Sequence, residues 1–304
     1  MTQLLNALPG ALAQGLIWGV MAIGVYITYK VLDIADLTVD GSICTGAAVC
    51  TMLLLGGQSP WLALLCAVLA GVLAGAVTGL LHVGLGIPPI LAGILTQMVL
   101  WSVNLKLLGK ANQALPARTT PVLLSQMDVG GALPVLLGFC VVLVALLVLF
   151  FGTELGCALR ATGCNPVMSR AQGVNTGLMK VIGLALSNGV VALSGALLCQ
   201  YQGYTDVNMG RGAVVIGLAA VVIGQAVLGR RGGRMAVQLG GVILCAVIYY
   251  IVYQVIIFAG FDTDLLKMFS AVVVAVFLGA PHVKAQLKAH SRSKKGDSGH
   301  AENE

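Results

Sequence analysis

The stretch between Asp40 and Lys106 contains no Asp, Glu, Lys or Arg residue. Over the whole chain, 58% of the residues are hydrophobic and only 9% are charged. An apolar helix of about 20 residues crosses the hydrocarbon layer of a bilayer, where every backbone polar group needs a partner within the protein. The sequence therefore predicts an all-α fold, a polytopic bundle of transmembrane helices, and excludes an ordinary soluble domain.

The apolar segments predict about nine membrane spans, within a range of eight to ten. The nine are Leu8–Thr28, Asp40–Leu55, Trp61–Leu85, Pro89–Leu107, Leu133–Phe151, Leu178–Tyr201, Gly212–Leu228, Met235–Phe258 and Leu265–Leu278. Residues 1–280 would form one transmembrane domain. Segment 281–304 is basic and poor in apolar residues, so we expect a disordered tail there.

The Lys and Arg residues indicate an orientation. With nine spans and a cytosolic C-terminus, most basic residues fall in inner loops, as the positive-inside rule requires. The basic residues left in outer loops are Lys106, Lys110, Arg118, Arg211 and Lys267. Segment 152–180 is then cytosolic. The first apolar run is as long as a span and lacks a basic leader region, so no cleavable signal peptide is expected.

Glycines at four-residue spacing mark one helix face in the third span. Gly71, Gly75 and Gly79 recur there. Small residues let transmembrane helices approach closely. We therefore expect a packing seam along this face.

The segment from Gly152 to Lys180 is a long polar interruption between two apolar spans. Residues Glu154 to Thr162 continue a helical pattern out of the fifth span. Gly163 is expected to end that helix, because glycine tolerates the left-handed conformation of a C-terminal cap.

A second short helix is expected directly afterwards. Asn165 suits an N-cap and Pro166 the first helical position, with an end at Gly173. Asn175 is then in place to cap the next span. A short rigid helix outside the bilayer suits docking into a groove on a soluble partner. An ordinary surface linker is the alternative interpretation.

The same segment carries a longer pattern of LRATG, then NP, then an alanine and GVN. Its residues are Gly156, Ala158, Leu159, Arg160, Ala161, Gly163, Asn165, Pro166, Ala171, Gly173, Val174 and Asn175. This pattern resembles the coupling loop of membrane permease subunits of binding-protein-dependent ABC importers, in the branched-chain amino acid and ribose permease superfamily.

Two further segments are similar to the same superfamily. Asp36 to Ala48, DLTVDGSICTGAA, resembles its early broken-helix motif. Gly195 to Leu197, together with Gly210 to Gly224, resembles a late SGALA-like and glycine-rich stretch. The resemblance covers roughly residues 8–280 and identifies 1–280 as a permease domain with a coupling loop at 152–180.

The resemblance implies a translocation subunit in a bacterial plasma (inner) membrane. Its partners would be a second permease copy in a homodimer, two ATP-binding cassette subunits and an extracytoplasmic solute-binding protein. Amino acids, aromatic or branched-chain, are the implied substrates, with a sugar or nucleoside as the alternative. The implied ATPase-coupling residues are Glu154, Gly156, Leu159, Arg160, Ala161, Gly163, Asn165, Pro166, Arg170, Gly173 and Asn175.

The sequence motifs agree with transport by this chain and ATP hydrolysis by a separate subunit. The chain contains no G-x-x-x-x-G-K-[ST] phosphate loop, so ATP and Mg²⁺ are expected on the partner ATPase and no cofactor on this chain. No catalytic constellation stands out, and the four histidines are too scattered for a metal site. Neither an enzymatic activity nor a nucleic-acid partner is expected.

An ion-coupled secondary transporter, or a channel, is the rival hypothesis. Such a carrier needs ionisable residues deep in its spans, and these spans are almost empty of them. Polar residues instead cluster where two glycine-rich spans begin, which favours broken helices beside the pathway. The residues expected nearest the translocation route are Asp36, Thr38, Asp40, Gly41, Ser42, Asn188, Ser194 and Asn208. Each has an alternative role as a capping or interhelical hydrogen-bonding residue.

Overall fold

The computed structural model of the protein describes residues 2–116, 120–228, 235–258 and Ala275. Its helices are α1 (Thr2–Tyr26, continued by a π-helical turn, Ile27–Val31), α2 (Thr38–Leu55), α3 (Pro60–Gly84), α4 (Pro89–Leu108), α5 (Val129–Gly152), α6 (Glu154–Cys164), α7 (Pro166–Ala171), α8 (Thr176–Gln202), α9 (Ala213–Leu228) and α10 (Met235–Phe258). Two strands, β1 (Asn112–Ala114) and β2 (Tyr204–Asp206), complete the described elements. The all-α transmembrane bundle is confirmed.

Seven helices in the described ranges are long and apolar enough to cross a membrane. They correspond to seven of the predicted spans. The predicted span Gly212–Leu228 is present as α9, but its 16 residues at about 1.5 Å each are short for a hydrocarbon layer of about 30 Å. The predicted span Leu265–Leu278, apart from Ala275, and the tail 281–304 lie outside the described residues.

Helix α8 lies at the centre of the bundle, where it packs against α1, α2 and α3. The glycine face of α3 meets it directly. A Cβ atom on Gly75 would lie 2.7 Å from the carbonyl carbon of Leu184, and one on Gly79 would lie 2.8 Å from the Cα of Val181. The predicted packing seam is confirmed, because only glycine permits this backbone approach.

The chain is not helical between α1 and α2. Residues 32–37 form an irregular connection in which Asp33 adopts a left-handed conformation, φ 55°. The carboxylate of Asp36 bonds to Asn188, which lies near the midpoint of α8. Helix α2 therefore begins in the middle of the bundle, and the predicted broken helix is confirmed at this position.

A second irregular segment follows α8. The hydroxyls of Thr51, in the last turns of α2, and Thr205, in β2, are 2.6 Å apart. Further along, the amide of Gly212 bonds to Asp40, in the first turn of α2. Segment 204–212 therefore runs back along α2 into the bundle, and α9 starts at the depth of Asp40. Arg211, placed in an outer loop by the sequence, lies at that depth as well.

Strands β1 and β2 pair antiparallel, with Asn112 opposite Asp206 and Ala114 opposite Tyr204. They lie beside the last turns of α2, at what we call the strand end of the bundle. The opposite side carries α6 and α7 and is called the coupling end. The sequence did not predict these strands, since three residues are too few to show an alternating pattern.

Candidate functional site

Helix α6 at the coupling end starts at Glu154, but it does not continue α5 as predicted, because Thr153 between them is extended. Its end also differs from the prediction. The Thr153 hydroxyl accepts a hydrogen bond from the Gly156 amide, 3.3 Å away, and caps the helix start. The helix continues through Gly163 to Cys164, so the predicted left-handed cap at Gly163 is wrong. A Cβ atom there would overlap the carbonyl oxygen of Val31. Glycine is needed at this position for the close approach of α6 to the end of α1.

Helix α7 has the predicted start. The Asn165 side-chain oxygen accepts hydrogen bonds from the amides of Val167, at 3.1 Å, and Met168, at 3.0 Å. Pro166 occupies the first helical position. Gly173 follows the helix with φ 83°. The predicted cap and the predicted short helix are both confirmed.

The two ends of this segment are fixed to the bundle. Asn175 caps α8 by accepting a hydrogen bond from the Leu178 amide at 3.1 Å. The guanidinium of Arg170 donates to the Thr176 hydroxyl at 2.8 Å. The side chain of Leu159 is fully buried. Helix α7 is therefore held between two anchored helices and is not a loose linker.

The tip of this segment is apolar and exposed. Val167 is 77% exposed and Met168 is 62% exposed, although both are hydrophobic. Arg160 is exposed on the neighbouring α6. The sequence interpretation missed Val167 and Met168. Two consecutive apolar residues in the first turn of a helix outside any span are the signal that identifies them.

The structure divides the expected coupling residues by exposure. Gly156 and Leu159 are buried, and Gly163 is partly buried. The exposed members of the set are Glu154, Arg160, Ala161, Asn165, Pro166, Arg170, Gly173 and Asn175. The buried ones fix the segment to the bundle, whereas the exposed ones are available to a partner.

Four of the expected pathway residues form one buried network at the α1–α2 break. The Asp36 carboxylate accepts hydrogen bonds from the Thr38 amide at 2.8 Å and the Asn188 side chain at 2.7 Å. The Ser42 hydroxyl donates to Asn188 at 2.6 Å. All four residues are buried, and each forms hydrogen bonds within the bundle.

A chain of threonines extends this network to α3 and α4. The hydroxyls of Thr38 and Thr78 are 2.8 Å apart, and Thr78 donates to Thr96 at 2.9 Å. The sequence interpretation missed Thr78 and Thr96, since threonine in an apolar span gives no signal of its partner. The network connects four helices at the break, and its polar atoms face one another instead of an open space.

The remaining expected pathway residues lie elsewhere. Ser194 donates to the Ile17 carbonyl oxygen at 2.7 Å and links α8 to α1. Asn208 is exposed, and its backbone N–H donates to the Asp206 carboxylate at 2.7 Å. Asp40 accepts hydrogen bonds from the amides of Gly212, at 3.0 Å, and Val214, at 2.9 Å. It therefore caps the start of α9 from another helix.

Asp40 and Gly41 also border a cavity of about 550 Å³ between α2, α4 and the 207–212 turn. The other residues that line it are Cys44, Ile94, Gln97, Met98, Trp101, Ser102, Asn104, Val207 and Arg211. Concave sites of about 300–1,000 Å³ with apolar walls and a few polar groups are typical of small-molecule binding. Within the ranges that the structure describes, no cluster of His, Cys, Asp or Glu is arranged to hold a metal ion.

A transmembrane bundle with broken helices and a short anchored helix outside the spans fits a membrane permease. Residues 8–280 match the profile of a family described as the branched-chain amino acid transport system, permease component. The chain belongs to this permease family. The match covers the helical bundle and the coupling end alike.

Three relatives of this permease are informative. It is 37% identical over 287 residues to the tyrosine transport system permease protein of Clostridioides difficile, covering 93% of this chain and 94% of that protein. It is 33% identical to the uncharacterized protein RP368 of Rickettsia prowazekii, over 91% and 98% of the two chains. It is 29% identical to the autoinducer 2 import system permease protein LsrC of Escherichia coli K12, over 67% and 60%. No solved structure gives a significant match.

Proposed function

We propose that this permease is the translocation subunit of an ATP-driven importer for aromatic amino acids, tyrosine among them. The anchored helix α7, with Val167 and Met168 exposed at its tip, is the observation that carries the proposal. An apolar pair on a rigid helix outside the spans favours docking into a groove of a soluble partner. ATP hydrolysis would occur on that partner, with Mg²⁺ bound there.

The proposed substrate class is supported by the tyrosine transport permease, which is similar over nearly the whole chain. The similarity to the autoinducer 2 permease covers less of both proteins and is weaker. It favours a second candidate, import of autoinducer 2, which the uptake measurement below separates from import of an amino acid.

The proposed complex contains two copies of this permease, two ATP-binding cassette subunits and an extracytoplasmic solute-binding protein. The coupling end would face the cytosol of a bacterium, with the C-terminus on the same side of the inner membrane. The strand end would then face the binding protein. The basic inner loops support this orientation.

The proposed mechanism is alternating access driven from the coupling end. Helix α6 touches the end of α1 through Gly163 and Val31, and the side chains of Leu32 and Leu159 both pack on Gly183. Four residues beyond Leu32 the chain reaches the Asp36 network. A displacement of α6 and α7 by the ATPase therefore acts directly on the α1–α2 break. The loaded binding protein shifts this equilibrium only if it binds one permease state more tightly.

Co-purification with an ATPase tests this function. The permease is expressed with the products of its neighbouring genes, and Met168→Glu is compared with Met127→Glu. Both methionines are exposed, at 62% and 76%, but Met168 is at the coupling end and Met127 at the strand end. We expect Met168→Glu to abolish co-purification of the ATPase, because a carboxylate at the apolar tip opposes docking. Met127→Glu should retain it.

Two results would contradict the proposal. In the first, no ATPase co-purifies with the wild-type permease, and uptake follows an ion gradient, which favours a secondary transporter. In the second, an ATPase co-purifies equally well with both variants, so that docking does not depend on α7.

A further inference from the structure

The cavity between α2, α4 and the 207–212 turn lies at the level in the membrane where α2 begins, and it is open on one side, since Met98 and Trp101 in its wall are exposed. Its wall includes Asp40, in the first turn of α2, and α2 begins beside the midpoint of α8. Gly210 packs on Asp40 so closely that a Cβ atom would overlap the Asp40 carbonyl oxygen. The 207–212 turn is therefore fixed against α2, and it holds Arg211 at the cavity.

Asn104 is the least expected residue in this wall. Its side chain is 1% exposed, and neither its nitrogen nor its oxygen has a hydrogen-bond partner among the described residues. A buried amide without a partner costs about 1–3 kcal/mol in proteins, so such groups are rare. Asn104 borders the cavity, but its amide atoms are enclosed, so the side chain must rotate toward the cavity for a polar ligand bound there to satisfy it.

Arg211 supplies a positive charge to the same wall. It is exposed, and no acidic residue in the described part of the chain forms an ion pair with it. The nearby Asp40 carboxylate uses both oxygens to accept backbone amides of the turn and α9. A cation at this depth in a membrane protein is costly and marks a functional site by default. The cavity therefore offers a positive charge to its occupant.

The rest of the wall is largely apolar. Ile94, Met98 and Trp101 of α4 line it, and Trp101 adds an aromatic ring. A guanidinium binds a carboxylate with two parallel hydrogen bonds. The Arg211 charge, the Asn104 amide and the apolar residues of α4 together fit a ligand that carries one carboxylate, a second polar group and an apolar or aromatic body.

We propose that this cavity is a transit site for an aromatic α-amino acid within the permease itself. Arg211 binds the α-carboxylate, Asn104 bonds to a second polar group of the same molecule, and Met98 and Trp101 contact the ring. The assignment of an amino acid rests on the proposed function. Arg211 also borders a second cavity, beside α10, but the unpartnered Asn104 amide belongs to the first.

Direct binding is measured on the purified full-length permease, without a binding protein or an ATPase. L-Phenylalanine and phenethylamine, which lacks the carboxylate, are compared as probes by thermal unfolding. We expect phenylalanine at saturation to raise the unfolding temperature by about 2–4 °C, and phenethylamine to have no effect. Arg211→Gln should lose this response, whereas Lys110→Gln, an exposed cation at the strand end, should keep it.

Asn104→Leu separates a ligand-binding role from a structural one. Leucine is similar in size and needs no partner, so the unliganded variant should be as stable as the wild type or more stable. Uptake of labelled tyrosine by the assembled importer should nevertheless fall about two- to tenfold, since one hydrogen bond in the transit site is lost. A variant that is less stable and transports normally would overturn the proposed role of Asn104.

The outcomes distinguish a failure of the proposed site from a failure of the proposed function. If an ATPase co-purifies and uptake proceeds, but phenylalanine does not stabilise the permease and both variants transport normally, the site is wrong and the function stands. If phenylalanine binds and Arg211→Gln abolishes binding, but no ATPase co-purifies, the site stands and the ATP-driven function is wrong.

Discussion

Replacement of Gly75 by alanine tests the packing of α3 against α8. A Cβ atom at this position would lie 2.7 Å from the carbonyl carbon of Leu184 and 2.8 Å from the Cα of Ala185. Ordinary contact begins at 3.4 Å, and the Leu184 carbonyl oxygen lies closer to the Cβ position than the carbonyl carbon does, so the two helices must separate by more than 0.7 Å, the difference between 3.4 and 2.7 Å. The atoms in the way belong to the backbone, so no side chain is able to rotate aside.

We expect Gly75→Ala to lower the free energy of unfolding by about 1–3 kcal/mol, the usual range for overpacking. Gly84→Ala is the matched control on the same helix, because no atom lies within 4 Å of its Cβ position. Alanine there should leave stability unchanged or raise it by up to about 1 kcal/mol through its higher helix propensity.

The assay is reversible unfolding of the purified permease in mixed detergent micelles, followed by circular dichroism. If the free energies of unfolding of Gly75→Ala and Gly84→Ala agree within about 0.5 kcal/mol, which is the usual size of a neutral surface change, the close contact between α3 and α8 does not exist.

Two further changes test the break and the coupling helix. Asn188→Leu leaves the Asp36 carboxylate without one donor and Ser42 without its acceptor, so the free energy of unfolding should fall by about 1–3 kcal/mol; an unchanged value in the same assay would refute the network. Asn165→Ala removes the cap of α7 and should lower its local stability by about 0.5–2 kcal/mol. Hydrogen exchange should then be faster at the amides of residues 167–171 while global unfolding is unchanged, and Asn165→Asp, which keeps the acceptor, should restore slow exchange. Equal exchange in the alanine variant and the wild type would count against the cap.

The sequence predicted those features that depend only on residues close to one another in the chain. Span length and apolar composition identified the long helices. The sequence Asn165–Pro166 places a cap and a first-turn proline in adjacent positions, and the structure shows both. The four-residue glycine repeat on α3 identified a packing face before its partner was known.

Features that depend on tertiary contacts were not predictable. Glycine is common at helix ends, so Gly163 was predicted to be one. The structure shows that a glycine is needed there because the carbonyl of Val31 lies against it. The sequence placed Arg211 in an outer loop, yet the chain turns back along α2 and brings this exposed residue to the depth of Asp40. Asn104 gives no signal in the sequence, since only the packed structure shows that its amide is buried without a partner.

The energy source of transport tests the central claim most directly. The complex that co-purifies with this permease is reconstituted into liposomes with its solute-binding protein, and uptake of labelled tyrosine is measured with hydrolysable or non-hydrolysable ATP. We expect uptake only with hydrolysable ATP, and the same rate after ionophores collapse all ion gradients. Uptake that continues without ATP hydrolysis and stops when an ion gradient is dissipated would contradict the account.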